Sequence, residues 1–372
     1  MKQQRLDGVD ILRGLSILAV ILLHIQLRMR FAGHSLEPAM PKWLFHLLFW
    51  NGNNGVQVFF AVSGFLITLT SIRRFGSLAG FQPWTFYRIR FARIAPLLLA
   101  LLAVLSVLHG TGAQGYVIPP EKASLGRSLA AVLTFHFNWL EAERGYLPAS
   151  WDVLWSLSVE EMFYLVYPIV CVALLRLRGG LWWFVLMLSA FVAMGPFARV
   201  APGANEIWRE KSYLGGMDAI ALGCLTVVAM NAGWRIARLW EFAGYASLLW
   251  IAVWPPWSIM RPIGRAGLDG TILAVGACLV MAASVSRGFT GGCWSAALRW
   301  LGRHSYEIYL THEFVVIAAT DAYASWRVGP LALWFVLVVP ASAALGGVVA
   351  RWFSEPLNRK LRPATPASGS FR

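Results

Sequence analysis

The sequence predicts an all-α integral membrane protein with about ten transmembrane helices, both termini cytoplasmic, and one short re-entrant or half-buried segment near 129–140. Three observations carry this expectation. Hydrophobic residues make up 58% of the 372-residue chain and charged ones only 13%, against about 45–50% and about 25% in soluble domains. The mean hydropathy is +0.59. Apolar stretches close to the roughly 17–25 residues needed to span a bilayer recur along the whole chain. This composition excludes a soluble enzyme, a disordered chain and a disulfide-stapled secreted domain. Nineteen Trp and 34 Gly suit interfacial aromatic belts and close helix packing.

The first apolar run covers 11–27, within MKQQRLDGVDILRGLSILAVILLHIQLRMR. No small-residue cleavage site follows it, so it reads as an uncleaved first helix rather than a signal peptide. Further runs cover 55–72, 94–109, 153–175, 180–198, 213–232, 240–258, 270–286, 305–323 and 331–352. The run over 129–140 is too short to cross and carries His136 and Asn138, which makes it the re-entrant or half-buried piece. Ten spans put both ends on one side, and with that side cytoplasmic, twenty of the 32 Lys and Arg fall inside, as the positive-inside rule requires. Counting 129–140 as a span would move Arg176, Arg178, Arg235 and Arg238 outside. The net charge of +14 is therefore read as this bias. It is not read as a nucleic-acid footprint, since no exposed basic run is interleaved with aromatics. Residues 1–357 form one transmembrane domain. Residues 358–372, polar, basic and rich in Pro and Ser, are expected to be a disordered cytoplasmic tail.

Ionisable groups inside spans are costly and are functional-site candidates by default. Arg13 and His24 are eleven residues apart, about 1100° of helical rotation, and so share a face. The rise of about 16 Å between them places His24 near mid-membrane. An imidazole there can exchange protons, or it can be a polar core residue bonded to a neighbouring helix. Glu160 and Glu161 open an otherwise apolar helix in SWDVLWSLSVEEMFYLVYPIV, where Ser156, Glu160, Tyr164 and Tyr167 share a face. Buried, these carboxylates need a partner, and a His on another helix would serve. In the headgroup layer they would be solvated and favoured by the helix dipole. Arg88, Arg90 and Arg93 lie in TFYRIRFARIAP. Their forks suit phosphate oxygens, although charge alone favours anchoring to lipid headgroups. Asp218 either lines an acceptor cavity or caps its helix, and His312 is a second polar site or a satisfied structural residue. No HxxxH, HExxH or paired-Asp cluster and no CxxC is present, so no metal site is expected. Neither a GxSxG elbow nor a Walker lysine occurs.

Taken in order, RLDGVDILRGLSILAVILLH, GVQVFFAVSGFLIT, FYRIRFARIAP, SWDVLWSLSVEEMFYLVYP, MDAIALG, LGRHSYEIYLTHE and FSEPL resemble the acyltransferase 3 family. These are membrane-bound bacterial O-acyltransferases of cell-surface glycans, and the resemblance runs from about residue 5 to 357. It implies about ten transmembrane helices with cytoplasmic ends and transfer of an acyl group, commonly acetyl. The donor is cytoplasmic acyl-CoA, a substrate and not a bound cofactor. The acceptor is a hydroxyl of an exofacial glycan or lipid-linked sugar. The implied site places Arg13, His24 and Glu160 at the chemistry, Arg90 and Arg93 with Arg88 on the CoA phosphates, and Glu161, Asp218, Ser63 and Tyr164 toward substrate. His24 acts either as general base or as a transient acyl carrier, with Glu160 orienting it. Met217 stands where an Arg is often found before the Asp, and Thr311 where a Trp is common before His312. The implied partners are acyl-CoA, the acceptor, membrane lipids and, in place of the extra-membrane domain some members append, a separate periplasmic transferase. Nucleic acid is not among them. The competing class is a proton-coupled carrier or flippase for a glycan precursor, without acyl chemistry.

Overall fold

The computed structural model describes residues 6–253 and 261–363, and these are helical throughout apart from turns. In chain order the helices are α1 (Asp7–Phe31), α2 (Lys42–Phe49), α3 (Gly52–Phe75), α4 (Pro83–Gly110), α5 (Leu125–Leu133), α6 (Phe137–Arg144), α7 (Ala149–Asp152), α8 (Trp155–Leu175) and α9 (Gly180–Arg199). They continue with α10 (Glu206–Lys211), α11 (Tyr213–Asn231), α12 (Arg238–Val253), α13 (Arg261–Arg265), α14 (Asp269–Ser286), α15 (Ala296–Arg303), α16 (Ser305–Trp326), α17 (Leu331–Val349) and α18 (Glu355–Leu361). Among the described residues, eight segments are long and apolar enough to cross a membrane. Helices α12 and α16 fall outside that set, α12 because it has 16 residues and α16 because it carries Glu307, Glu313 and Asp321. Trp182, Phe197, Leu239 and Phe242 stand fully outward, an apolar surface that water would not tolerate and lipid does.

Helix α1 is the hub. It packs on α3, α15 and α16, while α3 packs on α11, α11 on α9 and α14, and α16 on α17. Glycine makes the tightest of these contacts possible. A Cβ on Gly64 of α3 would sit 1.9 Å from the Ile220 carbonyl oxygen, and one on Gly223 of α11 would sit 2.1 Å from that of Ala61. The two backbones touch where a side chain would hold them apart.

Both described ends of the chain lie on one face of the bundle. Leu6 and Arg73, at the start of α1 and the end of α3, line the same cavity, and Arg362, just past α18, lies within electrostatic reach of Arg74. The short helices α2, α5, α6, α7 and α10 cap the opposite face.

The structure departs from the sequence reading in three places. The segment 129–140 is not one piece but the junction of α5 and α6, too short to cross at nine and eight residues. The break falls at Phe135, in the left-handed region at φ 60°. It is held there by Tyr213 Oη donating to the Phe135 carbonyl at 2.5 Å and by Phe137 N–H donating to Ser158 Oγ at 3.1 Å. Helix α4 begins at Pro83 rather than 94 and passes through Pro96. Its early turns carry arginines that lower the hydropathy but do not break the helix. The tail expected from 358 is helical to Leu361, and 364–372 lie outside the described residues. Helix α12 is described as far as Val253, and the rest of the run expected to 258 likewise lies outside the described residues.

Candidate functional site

Helices α1 and α16 run parallel, as their successive contacts show. Arg13 Nη2 donates to Ser305 Oγ at 2.8 Å, His24 Nδ1 lies 2.6 Å from His312 Nε2, and Arg28 pairs with Asp321 at 3.4 Å. Arg13 and His24 thus present one face to one neighbouring helix, as their spacing predicts.

At the middle contact the two imidazoles lie edge to edge within 5° of parallel, ring centres 4.9 Å apart. The protons on these rings can be assigned by elimination. His312 Nδ1 lies 2.7 Å from the Tyr309 carbonyl oxygen, which only accepts, so that nitrogen carries the hydrogen. Neutral His312 then offers Nε2 as acceptor, and the proton in the 2.6 Å contact belongs to His24 Nδ1. His24 Nε2 keeps its lone pair. Glu313 Oε1 lies 2.8 Å from His24 Nδ1 and 3.5 Å from His312 Nε2, close enough to stabilise an imidazolium formed on His24. The side chain of His24 is 17% exposed, against 0% for His312 and 3% for Glu313. Only the ring with the free lone pair can be reached from outside. This is the logic of a base, an orienting group and a carboxylate behind them.

The same three residues place ligand atoms within 4.8 Å of one another, a spacing that could hold a metal ion. No local motif announces this group, because its members come from helices at opposite ends of the chain. Two nitrogens on one tetrahedral zinc would stand about 3.3 Å apart. The observed 2.6 Å is hydrogen-bond distance, and the group is read as a proton relay.

A second cluster lies beside the first. The Arg90 guanidinium sits 3.7 Å from the centre of the Tyr164 ring. Tyr164 Oη bonds Ser63 Oγ, and Glu160 lies close to Ser63, Arg90 and Arg13. Glu161 faces Arg90 and Glu160 with one carboxylate oxygen unpartnered. Arg13 lies within electrostatic reach of Arg93, Glu307 and Glu160. Six residues singled out from sequence, Arg13, Ser63, Arg90, Glu160, Glu161 and Tyr164, therefore meet in one place, with Arg93 close by. The shared face of α8 explains the gathering: Ser156 bonds Tyr309 Oη at 2.9 Å, and Tyr167 bonds Thr68 at 3.0 Å.

Three expectations come out differently. Glu160 is not the partner of His24; Glu313 takes that place, because α16 rather than α8 faces the imidazole. Arg88 is exposed and lies about 200° around α4 from Arg90, away from the cluster. Asp218 is fully buried and closed off. Its Oδ2 accepts from Arg199 at 2.7 Å and from Thr271 at 2.6 Å, and its Oδ1 accepts from the Ala219 N–H at 2.7 Å. That leaves it no oxygen to offer a substrate. Arg199, from α9, supplies the cation that Met217 does not.

Sequence reasoning missed a third ionic group, Lys211 with Glu141 and Asp152. Lys211 is 2% exposed, bonds Glu141 at 2.9 Å and also pairs with Asp152, while the Tyr146 ring lies 4.5 Å from its ammonium. Burial, and then the neighbouring Asp152, push the Glu141 carboxyl well above the usual carboxylate range. The signal was a Lys at the head of an apolar helix, but its partners lie 59 and 70 residues earlier.

A polytopic helical bundle with an open, oriented imidazole at its centre and arginines beside it defines an integral membrane enzyme for group transfer. Comparison with known proteins places it further. The model of the acyltransferase domain family, acyltransferase 3, matches residues 6–351. The chain belongs to that family and is a multi-pass membrane acyltransferase. It is 27% identical to acyltransferase MdmB of Streptomyces mycarofaciens over 386 residues, covering 98% of this chain and 94% of that protein. It is 23% identical to peptidoglycan O-acetyltransferase OatA of Listeria monocytogenes over 382 residues, covering 95% of this chain and 56% of that one. With O-acetyltransferase OatA of Staphylococcus aureus the identity is 20% over 406 residues, 95% and 57% of the two chains. The chain thus spans little more than half the length of the OatA proteins. No solved structure matches it significantly.

Proposed function

We propose that this protein transfers an acetyl group from cytoplasmic acetyl-CoA to a hydroxyl of an exofacial glycan or glycolipid, from a seat in the bacterial inner membrane. The observation that carries the reading is His24, with its proton on Nδ1 toward His312 and a bare, reachable Nε2. The O-acetyl chemistry and the surface glycan are suggested by what OatA is named for in two relatives.

In the transfer, Nε2 takes the proton of the acceptor hydroxyl while its oxygen attacks the thioester carbonyl. The imidazolium that results is stabilised by the Glu313 carboxylate at 2.8 Å. Collapse of the tetrahedral intermediate forms the ester and breaks the C–S bond, and the departing thiolate takes the proton from Nε2. Arg13, Arg90 and Arg93 lie beside Glu160, Glu161 and Glu307, and they hold these carboxylates in place next to the reacting groups. The deciding assay uses purified protein in proteoliposomes with labelled acetyl-CoA, paired with mass spectrometry of surface glycans from cells with and without the gene. Label transfer and a shift of one acetyl unit are expected. Glycan transport with no release of CoA would replace this reading with a carrier.

A further inference from the structure

The face that holds both chain ends contains a cavity of about 410 Å³, within the range of small-ligand pockets. Its walls come from four elements: the start of α1 (Leu6, Asp7), the end of α3 (Arg73), the turn after α14 (Phe289) and α15 (Arg299, Arg303). Three guanidiniums face one carboxylate there. Asp7 is already committed, accepting from Arg299 at 2.5 Å and from the Gly291 N–H at 2.9 Å, and Arg299 also bonds the carbonyls of Gly291 and Gly292. Among the described residues, Arg73 and Arg303 have no ion pair or side-chain hydrogen bond. The Phe289 side chain is 41% exposed at the same cavity.

The contrast with the mid-bundle arginines is what gives the pocket meaning. Arg90 is stacked on Tyr164 and faces Glu160 and Glu161, so its charge is already balanced by protein. Arg73 and Arg303, in contrast to Arg90, keep open forks at the pocket. We infer that this cavity seats the phosphorylated nucleotide end of the acyl donor, with Arg73 and Arg303 on phosphate oxygens and Phe289 against the base. The inference rests on the donor assignment made above and specifies where the donor is gripped. Seventeen residues separate Asp7 from His24, about 25 Å along α1.

The test uses the full chain in nanodiscs of phosphatidylcholine alone, as wild type, R73A, R303A, the double alanine variant and R73K/R303K. Two readouts are taken: equilibrium binding of CoA, and the ratio of KM for acetyl-CoA to KM for acetyl-4′-phosphopantetheine, which lacks the nucleotide. The double alanine variant is expected to weaken CoA binding at least about tenfold and to raise the KM ratio by a similar factor, as losing charge-assisted contacts should. The lysine pair should recover part of both. Equal KM losses on the two donors, or unchanged CoA affinity in a folded variant, would overturn the inference. So would an effect seen only as lost co-purifying phosphatidylglycerol, which would make the cavity a lipid headgroup seat. Wild-type protein that binds CoA through these arginines yet transfers nothing would sink the proposed reaction and leave the pocket standing.

Discussion

His24 and His312 share one hydrogen bond, Nδ1 to Nε2 at 2.6 Å, between rings that lie edge to edge within 5° of parallel. The Tyr309 carbonyl at the far end of the pair fixes the direction of that bond, and with it which nitrogen of His24 is left bare.

The first prediction concerns that nitrogen. His24→Ala removes the base while leaving the fold, and it should lower kcat by about 10²–10⁴-fold. Turnover in proteoliposomes, normalised to folded protein by size-exclusion profile, is the measurement. Near-normal turnover would end the proposal.

The second separates orientation from contact. His312→Ala and Glu313→Gln should each lower kcat, Glu313→Gln by up to about 10⁴-fold, the loss seen when the carboxylate behind a catalytic imidazole is removed from a triad. KM for acetyl-CoA should stay within about twofold in both, because neither residue is placed on the donor. A rise in KM with kcat intact would assign them to binding instead.

The third concerns Arg90, which balances Glu160 and Glu161. Arg90→Ala should cost about 3–5 kcal/mol of stability, the penalty for leaving buried charge uncompensated, seen as a lowered Tm in detergent. Adding Glu161→Gln should recover part of it. If the single variant keeps the wild-type Tm, the arginine is a surface anchor.

The fourth uses the residue the structure closes off. Asp218→Asn breaks the pair with Arg199 and should lower Tm, yet kcat and the acceptor KM per folded molecule should remain within about twofold. A rise in acceptor KM would return Asp218 to the substrate.

The fifth tests helix approach. Gly64→Ala drives a methyl to 1.9 Å from the Ile220 carbonyl oxygen, and it should destabilise the α3–α11 contact by about 1–3 kcal/mol. Thermal unfolding of Gly64→Ala beside Gly76→Ala, a turn glycine with no neighbour within 4 Å but with φ at 78°, separates crowding from backbone strain.

The positions of the long helices were legible because lipid demands apolar side chains on every outward face, whatever lies inside. The start of α4 was not, because Arg90 and Arg93 point into protein and hydropathy cannot tell protein from water. Arg13 and His24 could be paired from spacing alone, since both sit on one helix. Glu313 could not be chosen over Glu160 as the partner of His24. Both are carboxylates in spans, and the choice depends on which helix lies beside α1. The same limit hid Arg199, which answers Asp218 from α9.

The imidazole comes from α1 and its two supporting residues from α16, His312 standing 288 positions later. While the chain is still being made, His24 therefore sits in the bilayer with no relay behind it. On the proposed mechanism, a product truncated before α16 would be inert, because nothing would orient the imidazole until the bundle closes.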